Sequence, residues 1–278
     1  MKGQIIKHIS NDYYVEYNNI IYPCKCRGKF RIEEITPLVG DYVDFDINNN
    51  YILNVYSRKN ELVRPPICNI DQAMIITSVK EPEFSTNLLD KLLVIIEYNN
   101  IKPIICLTKL DLLKTKQEKE YIKKYIRYYK SIGYQVYTNK QLFLIKRLFK
   151  NKVTVFAGQS GVGKSTLLNR LDKTLNLKTD IISKALGRGK HTTRHVELLK
   201  INNGLVADTP GFSSLDFIDM TKEDIRDNFI EFNKYKHLCK YRSCLHLDED
   251  NCGIKKAIEK KLIAESRYLN YKNFVSKK

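Results

Sequence analysis

Gly158, Gln159, Ser160, Gly161, Val162, Gly163, Lys164 and Ser165 run consecutively. A glycine, four residues and then Gly-Lys-Ser is the phosphate-loop pattern, and its flanks must be a strand before and a helix after. The flanks comply. Residues 153–157 are a short apolar run that reads as a buried strand, and across 165–175 Leu167, Leu168 and Leu171 recur at helical spacing. Glycine lets backbone N–H groups converge on phosphate oxygens without a Cβ in the way, and the helix N-terminus adds partial positive charge. In this pattern Lys164 reaches the β and γ phosphates and Ser165 ligates Mg2+. Thr166 completes the nucleotide-contacting run. A purely structural glycine turn would leave the Lys-Ser pair unexplained.

At 278 residues the chain can hold two or three domains, and 43% hydrophobic content supports real cores. No apolar run reaches membrane-span length, and no apolar signal region follows Met1, Lys2, Gly3 and Gln4. A cytoplasmic protein with no membrane partner is expected. The net charge of +17 is uneven. Residues 1–62 carry 8 basic and 8 acidic side chains, residues 63–220 carry 26 and 14, and residues 221–278 carry 14 and 9. Within 114–152 there are 12 basic residues against Glu118 and Glu120. That concentration suits a polyanion-facing surface, although a solvated helix face reads the same way. The 7 cysteines are an odd count, which argues against a disulfide framework.

Residues 3–10, 13–17, 20–27, 41–46 and 51–56 are β-rich and separated by Asn, Asp and Gly turns. Five strands in so short a stretch predict a small closed barrel of the oligonucleotide-binding (OB) type. Lys25, Arg27, Lys29 and Arg31 would share one face if the third strand continues, with Cys24 and Cys26 opposite. Such a face suits RNA, or an edge kept soluble by charge. Arg64, Pro65 and Pro66 read as a stiff linker. A strand at 73–78 follows, then a helix opened by Asn87 and Asp90 with Leu88, Leu89, Leu92, Ile95 and Ile96 on its apolar face. A strand at 102–108, a basic helix at 117–131 closed by Gly133, a strand at 134–138 and a helix at 142–149 lead to the phosphate loop. Strand–helix alternation implies a mainly parallel, doubly wound sheet. Beyond the polar stretch 176–195, strands 196–201 and 205–207 flank the turn Asn202, Asn203, Gly204. Residues 221–278 are mostly helical. The division expected is a barrel at 1–62, an α/β nucleotide-binding domain at 63–220 and a helical domain at 221–278.

Two further motifs choose the nucleotide. Asp208, Thr209, Pro210 and Gly211 sit at a strand end, where Asp208 can hold Mg2+ through water and the Gly211 N–H can sense the γ-phosphate. Thr108, Lys109, Leu110 and Asp111 sit at another. The Asp111 carboxylate can accept from both guanine N1–H and the 2-amino group, a charge-assisted pair that adenine cannot offer. The Lys109 stem packs under the base. Ordinary GTPases place this base motif after the phosphate loop; here it comes first. The pieces are complete and the ring is cut elsewhere, which is a circular permutation.

The permuted order, the preceding barrel and a trailing Cys/His cluster resemble the RsgA (YjeQ) family of ribosome-dependent GTPases over essentially the whole chain. Val39, Gly40 and Asp41 in the barrel, Arg64 and Pro65 at the joint, and the run Gly187, Arg188, Gly189, Lys190, His191, Thr192, Thr193 belong to the resemblance. It implies an OB barrel, a permuted GTPase domain and a C-terminal zinc domain. It also implies late maturation of the small (30S) ribosomal subunit, contact with its 16S rRNA, and hydrolysis stimulated by that particle. Two positions depart from GTPase patterns: Thr108 stands where Asn is general, and Thr138, Asn139 and Lys140 replace a Ser-Ala turn near the base.

Phe212 follows Gly211 where many GTPases carry a water-orienting Gln. Another group must position the attacking water, and His191, amid Arg188, Lys190 and Arg194, is the candidate, as the resemblance also implies. Lys164 supplies charge. Thr192 or Thr193 would coordinate Mg2+; spacing does not choose between them. Cys239, Cys244, His246 and Cys252 make a Cys-x4-Cys-x-His-x5-Cys set, a closed ligand group for one structural zinc. The reading is a monomeric GTPase that turns GTP into GDP and phosphate. Its rivals are a nucleotide-promiscuous ATPase and an RNA-binding scaffold that keeps its nucleotide only for folding.

Overall fold

The structure, a computed structural model, describes residues 1–28, 30, 35–63, 65–173, 196–208 and 216–278. Strands β1 (Lys2–Ile9), β2 (Asp12–Tyr17), β3 (Ile20–Cys26), β4 (Tyr42–Asp46) and β5 (Tyr51–Val55) come first. They run in the order β1-β2-β3-β5-β4, and β4 pairs back onto β1, so the sheet closes into the expected barrel. Alternation fills it: Ile5, Val15, Cys24, Val43, Phe45 and Ile52 point inward and are buried. β3 stops at Cys26, where its pairing with β5 ends and Gly28 follows with no side chain to pack. Of the four alternating cations only Lys25 therefore lies on the strand. Lys29 and Arg31 fall outside the described residues.

Of the expected linker at 64–66, Arg64 lies outside the described residues, and short paired strands flank it. β6 (Glu61–Leu62) pairs with β7 (Ile67–Cys68) and Val39 bridges to Ile67. Asp41, fully buried, receives Arg58 Nε and Nη2 at 2.8 Å each and so ties the barrel to this segment. The short stretch is anchored because a buried carboxylate needs this pairing.

β8 (Gln72–Ser78), β9 (Lys102–Thr108), β10 (Gln135–Thr138) and β11 (Val153–Ala157) are joined by helices α1 (Thr86–Tyr98), α2 (Lys116–Ser131) and α3 (Leu142–Leu148). After α4 (Lys164–Leu171), strands β12 (Val196–Ile201) and β13 (Gly204–Asp208) form the predicted hairpin. Pairing runs β10-β9-β8-β11-β13-β12, parallel except for the β12–β13 hairpin. α1 and α2 pack on one face through Leu89, Leu92, Leu93 and Ile122. The other face packs Ile145 and Phe149 beside Leu167 and Leu168 of α4. The cap of α1 differs from expectation. Ser85 caps it, its side chain accepting from the Leu88 N–H at 3.2 Å. Asn87 and Asp90 instead face the C-terminal region.

That region holds α5 (Lys222–Asp227), α6 (Gly253–Glu259) and α7 (Glu265–Val275), with short 3-10 turns at Ile230–Lys234 and Lys236–Leu238. Its core of Phe217, Phe229, Phe232, Tyr271 and Phe274 also takes Val94 and Ile95 of α1. At the opposite side β12 pairs antiparallel with β1, Lys7 opposite Glu197 and His8 opposite Val196, so barrel and α/β sheet are continuous.

Candidate nucleotide site and candidate metal centre

Parallel strands put their C-terminal ends on one edge, and open α/β sheets bind ligands there. The registers align the ends: Ile75 of β8 sits opposite Ala157 of β11, Ser78 opposite Thr108, and Val155 opposite Ala207 of β13. The phosphate loop, the base motif and the backbone of Asp208 thus leave the sheet side by side.

The loop's glycines are needed for shape. Gly158 has φ +137°, and a Cβ there would lie 2.1 Å from the Ile76 carbonyl oxygen. Gly163, at φ +92°, is the N-cap of α4 and turns the chain into the helix. Lys164 follows in the first turn, and its Nζ donates to the carbonyls of Gly158 and, at 3.0 Å, Gln159. Burial pulls this ammonium down to about 8. The ammonium is thus held by two carbonyls of the loop at the N-terminal end of α4, where a helix favours anions. Ser165, also in the first turn, is buried and offers a hard hydroxyl oxygen, the donor class that suits Mg2+.

Thr108 is buried, and its Oγ1 donates to the Val162 carbonyl at 2.6 Å, joining the base motif to the phosphate loop. Lys109, at φ +57°, turns its Nζ onto the Glu81 carbonyl. Asp111 is exposed on the 3-10 turn Leu110–Leu112. The 138–140 segment lies beside them: the Asn139 N–H donates to Leu107 O at 2.8 Å, and Arg170 of α4 donates to Asn139 O at 3.2 Å. The Glu81 and Asn139 contacts were not foreseen; both use main-chain carbonyls, which leave no mark in sequence. His191, Thr192, Thr193 and Gly211 lie outside the described residues, as does the side chain of Asp208.

Near the C-terminus the ligand atoms of Cys239, Cys244, His246 and Cys252 all lie within 4.8 Å of one another. The imidazole presents Nδ1, 3.3 Å from Cys252 Sγ and 3.6 Å from Cys239 Sγ. Burial holds His246 down to about 4, so the ring is neutral and can donate its lone pair. Burial also pushes the Cys244 thiol up to about 12, a cost that a bound dication reverses. The Gly253 N–H donates to Cys239 Sγ at 3.2 Å, and Tyr268 hydroxyl to the His246 carbonyl at 2.6 Å. Three sulfurs and one nitrogen closing on one point are compatible with tetrahedral zinc.

Among known proteins, the RsgA GTPase profile matches residues 55–218 and the RsgA N-terminal domain profile residues 2–52. A protein of Oceanobacillus iheyensis named small ribosomal subunit biogenesis GTPase RsgA 2 is 54% identical, over 99% of this chain and 96% of its own length. The Bacillus cereus small ribosomal subunit biogenesis GTPase RsgA is 52% identical over the same shares. Of solved structures, YloQ, described as a circularly permuted GTPase, superposes with TM-score 0.84 at 43% identity, covering 99% of this chain and 94% of that one. YjeQ from Thermotoga maritima gives 0.86 at 34%, covering 99% and 97%.

Proposed function

The chain belongs to the RsgA family of circularly permuted GTPases, and from that premise we propose that it acts in maturation of the small ribosomal subunit. It binds that particle through 16S rRNA, hydrolyses GTP to GDP and phosphate there, and leaves. It works as a monomer in the cytoplasm. No helix among the described residues is long and apolar enough to cross a membrane.

The observation that carries the reading is the convergence at the sheet edge, where the Thr108 hydroxyl bonds the Val162 carbonyl. Base recognition and phosphate recognition are thereby one rigid unit. In this reading Asp111 selects guanine and Lys109 lies under it. Residues 158–166 wrap the phosphates, with Lys164 neutralising the transferring group. Ser165, Asp208 and one of Thr192 or Thr193 would hold Mg2+, which would supply positive charge to neutralise the transferring group. Gly211 senses the γ-phosphate and His191 orients the attacking water. Cys239, Cys244, His246 and Cys252 would hold one structural zinc and so tie together the loops of a helical module at 221–278, beside a GTPase domain at 63–220 and a barrel at 1–62.

Hydrolysis of GTP, ATP and xanthosine triphosphate, with and without small subunits, tests this. Asp111→Asn exchanges an acceptor for a donor, so preference should swing from GTP towards xanthosine triphosphate by at least tenfold, in line with the 1.5–3 kcal/mol of a charged hydrogen bond. An unchanged preference sinks guanine selection. His191→Ala should retain GTP binding and lose the stimulated rate; a retained rate removes His191 from the mechanism.

A further inference from the structure

The basic stretch 114–152 divides into two helices of different character. On α2 the acids compensate: Glu118 pairs with Lys80, and Glu120 with Lys123 and Arg127. On α3 nothing does. Lys140, Lys146, Arg147 and Lys150 are exposed, and the described ion pairs include none of them. Between them the same helix presents Phe143, 73% exposed, and Leu144, 43% exposed. The inward face is satisfied without them, since Ile145 and Phe149 are fully buried. Phe143 is the one exposed phenylalanine among the described residues, and helical spacing sets Lys146 and Arg147 beside it. The Arg147 guanidinium lies over one face of the Phe143 ring, 5.9 Å from its centroid, which leaves the opposite face for a stacking partner.

We propose that this outer face of α3 is an RNA-docking surface, with an unpaired base stacking on Phe143 and its neighbouring phosphates on Lys146, Arg147 and Lys150. The inference rests on the small-subunit reading above and names where one RNA contact is made. Charge complementarity selects the occupant. A nucleic-acid strand brings a planar base and regularly spaced anions together, which matches one ring inside a ring of cations. The location gives the contact consequence. Gln141, just before α3, accepts from the Thr138 N–H at 2.9 Å, and Thr138 precedes the Asn139 loop beside the base motif. The start of α3 is therefore tied through Thr138 and Asn139 to the end of β9, which leads into the base motif.

The test uses full-length protein loaded with a non-hydrolysable GTP analogue and purified small subunits. Phe143→Ala should weaken binding between about fivefold and a hundredfold, the span of one lost base stack. The triple variant Lys146→Gln, Arg147→Gln, Lys150→Gln should weaken it further and flatten the slope of log K against log salt by about two. Basal GTP hydrolysis and melting temperature should stay at wild-type values, because none of the four residues touches the nucleotide site or the core. A photo-crosslinking amino acid at position 143 should capture rRNA. Unchanged affinity and salt slope in both variants overturn the proposal, as does capture of a ribosomal protein instead of RNA. Failure of the wild-type protein to bind small subunits at all would strike the functional reading itself, which separates the two.

Discussion

In the proposed function Lys164 is the residue that would couple nucleotide binding to pH. Its ammonium is partly enclosed by the phosphate loop, and burial lowers it to about 8. Below that value folded and unfolded chains both hold the proton. Between it and the ordinary lysine value the unfolded chain binds more protons, so the nucleotide-free fold gains stability as pH rises. In the proposed site GTP would impose the opposite demand, because its phosphates would need the cation. Affinity should thus be level near pH 7 and fall towards tenfold per unit above about pH 8. Titration calorimetry in buffers of different ionisation enthalpy would show a proton taken up with GTP in that window; flat affinity up to about pH 10 contradicts the assignment. The strand–loop–helix setting of Lys164 was legible in sequence because its motif is local. The main-chain contacts around it were not. The carbonyls of Ile76, Glu81 and Val162 that shape the pocket belong to the main chain, and any residue type supplies one.

Elements were legible where their pattern is internal to them. The alternation of the barrel strands and the apolar stripe of α1 need no partner to be read, and the Asn202-Asn203 turn declares itself through two residues suited to positive φ, 48° and 59°. Gly204 had a different reason to be glycine. It is the first residue of β13, and a Cβ there would stand 1.8 Å from the Phe149 carbonyl oxygen at the end of α3. The neighbour is backbone and cannot swing aside. Gly204→Ala should therefore cost about 2–4 kcal/mol through displacement of the α3–β11 corner. Thermal unfolding would report it; a melting temperature within error of wild type would show that the corner yields freely. The false start at Asn87 has the same origin. Its polarity and that of Asp90 look like capping, yet Asn87 Nδ2 donates to Asn270 at 3.2 Å and Asp90 serves Arg267. A contact made across some 180 positions leaves only a polar residue on an apolar face.

At the scale of the molecule, that contact decides how the C-terminal region is joined. Arg267 of α7 is 1% exposed and sends Nε and Nη2 to Glu231 at 2.7 and 2.8 Å and Nη1 to Asp90 of α1 at 2.8 Å. Asp90 also accepts from the Tyr129 hydroxyl of α2 and from Asn270 Nδ2, at 2.6 Å each. One cation thus holds two buried carboxylates belonging to different regions, and each is satisfied only while all are in place. Charges so placed contribute little net stability compared with apolar groups of the same size, but removing one leaves the others stranded. Arg267→Met should accordingly destabilise the protein by about 3–5 kcal/mol, whereas adding Asp90→Leu and Glu231→Leu to it should restore most of the loss. The region also leads to the nucleotide. α1 starts at Thr86, just after the loop whose Glu81 carbonyl holds Lys109, so releasing Asp90 should loosen one side of the proposed base site. The single variant should weaken GTP binding as well as lower the melting temperature, and the triple variant should recover the second more fully than the first, since it rebuilds packing but not orientation. If Arg267→Met melts and binds GTP as wild type does, the buried network is not what couples the C-terminal region to the GTPase sheet.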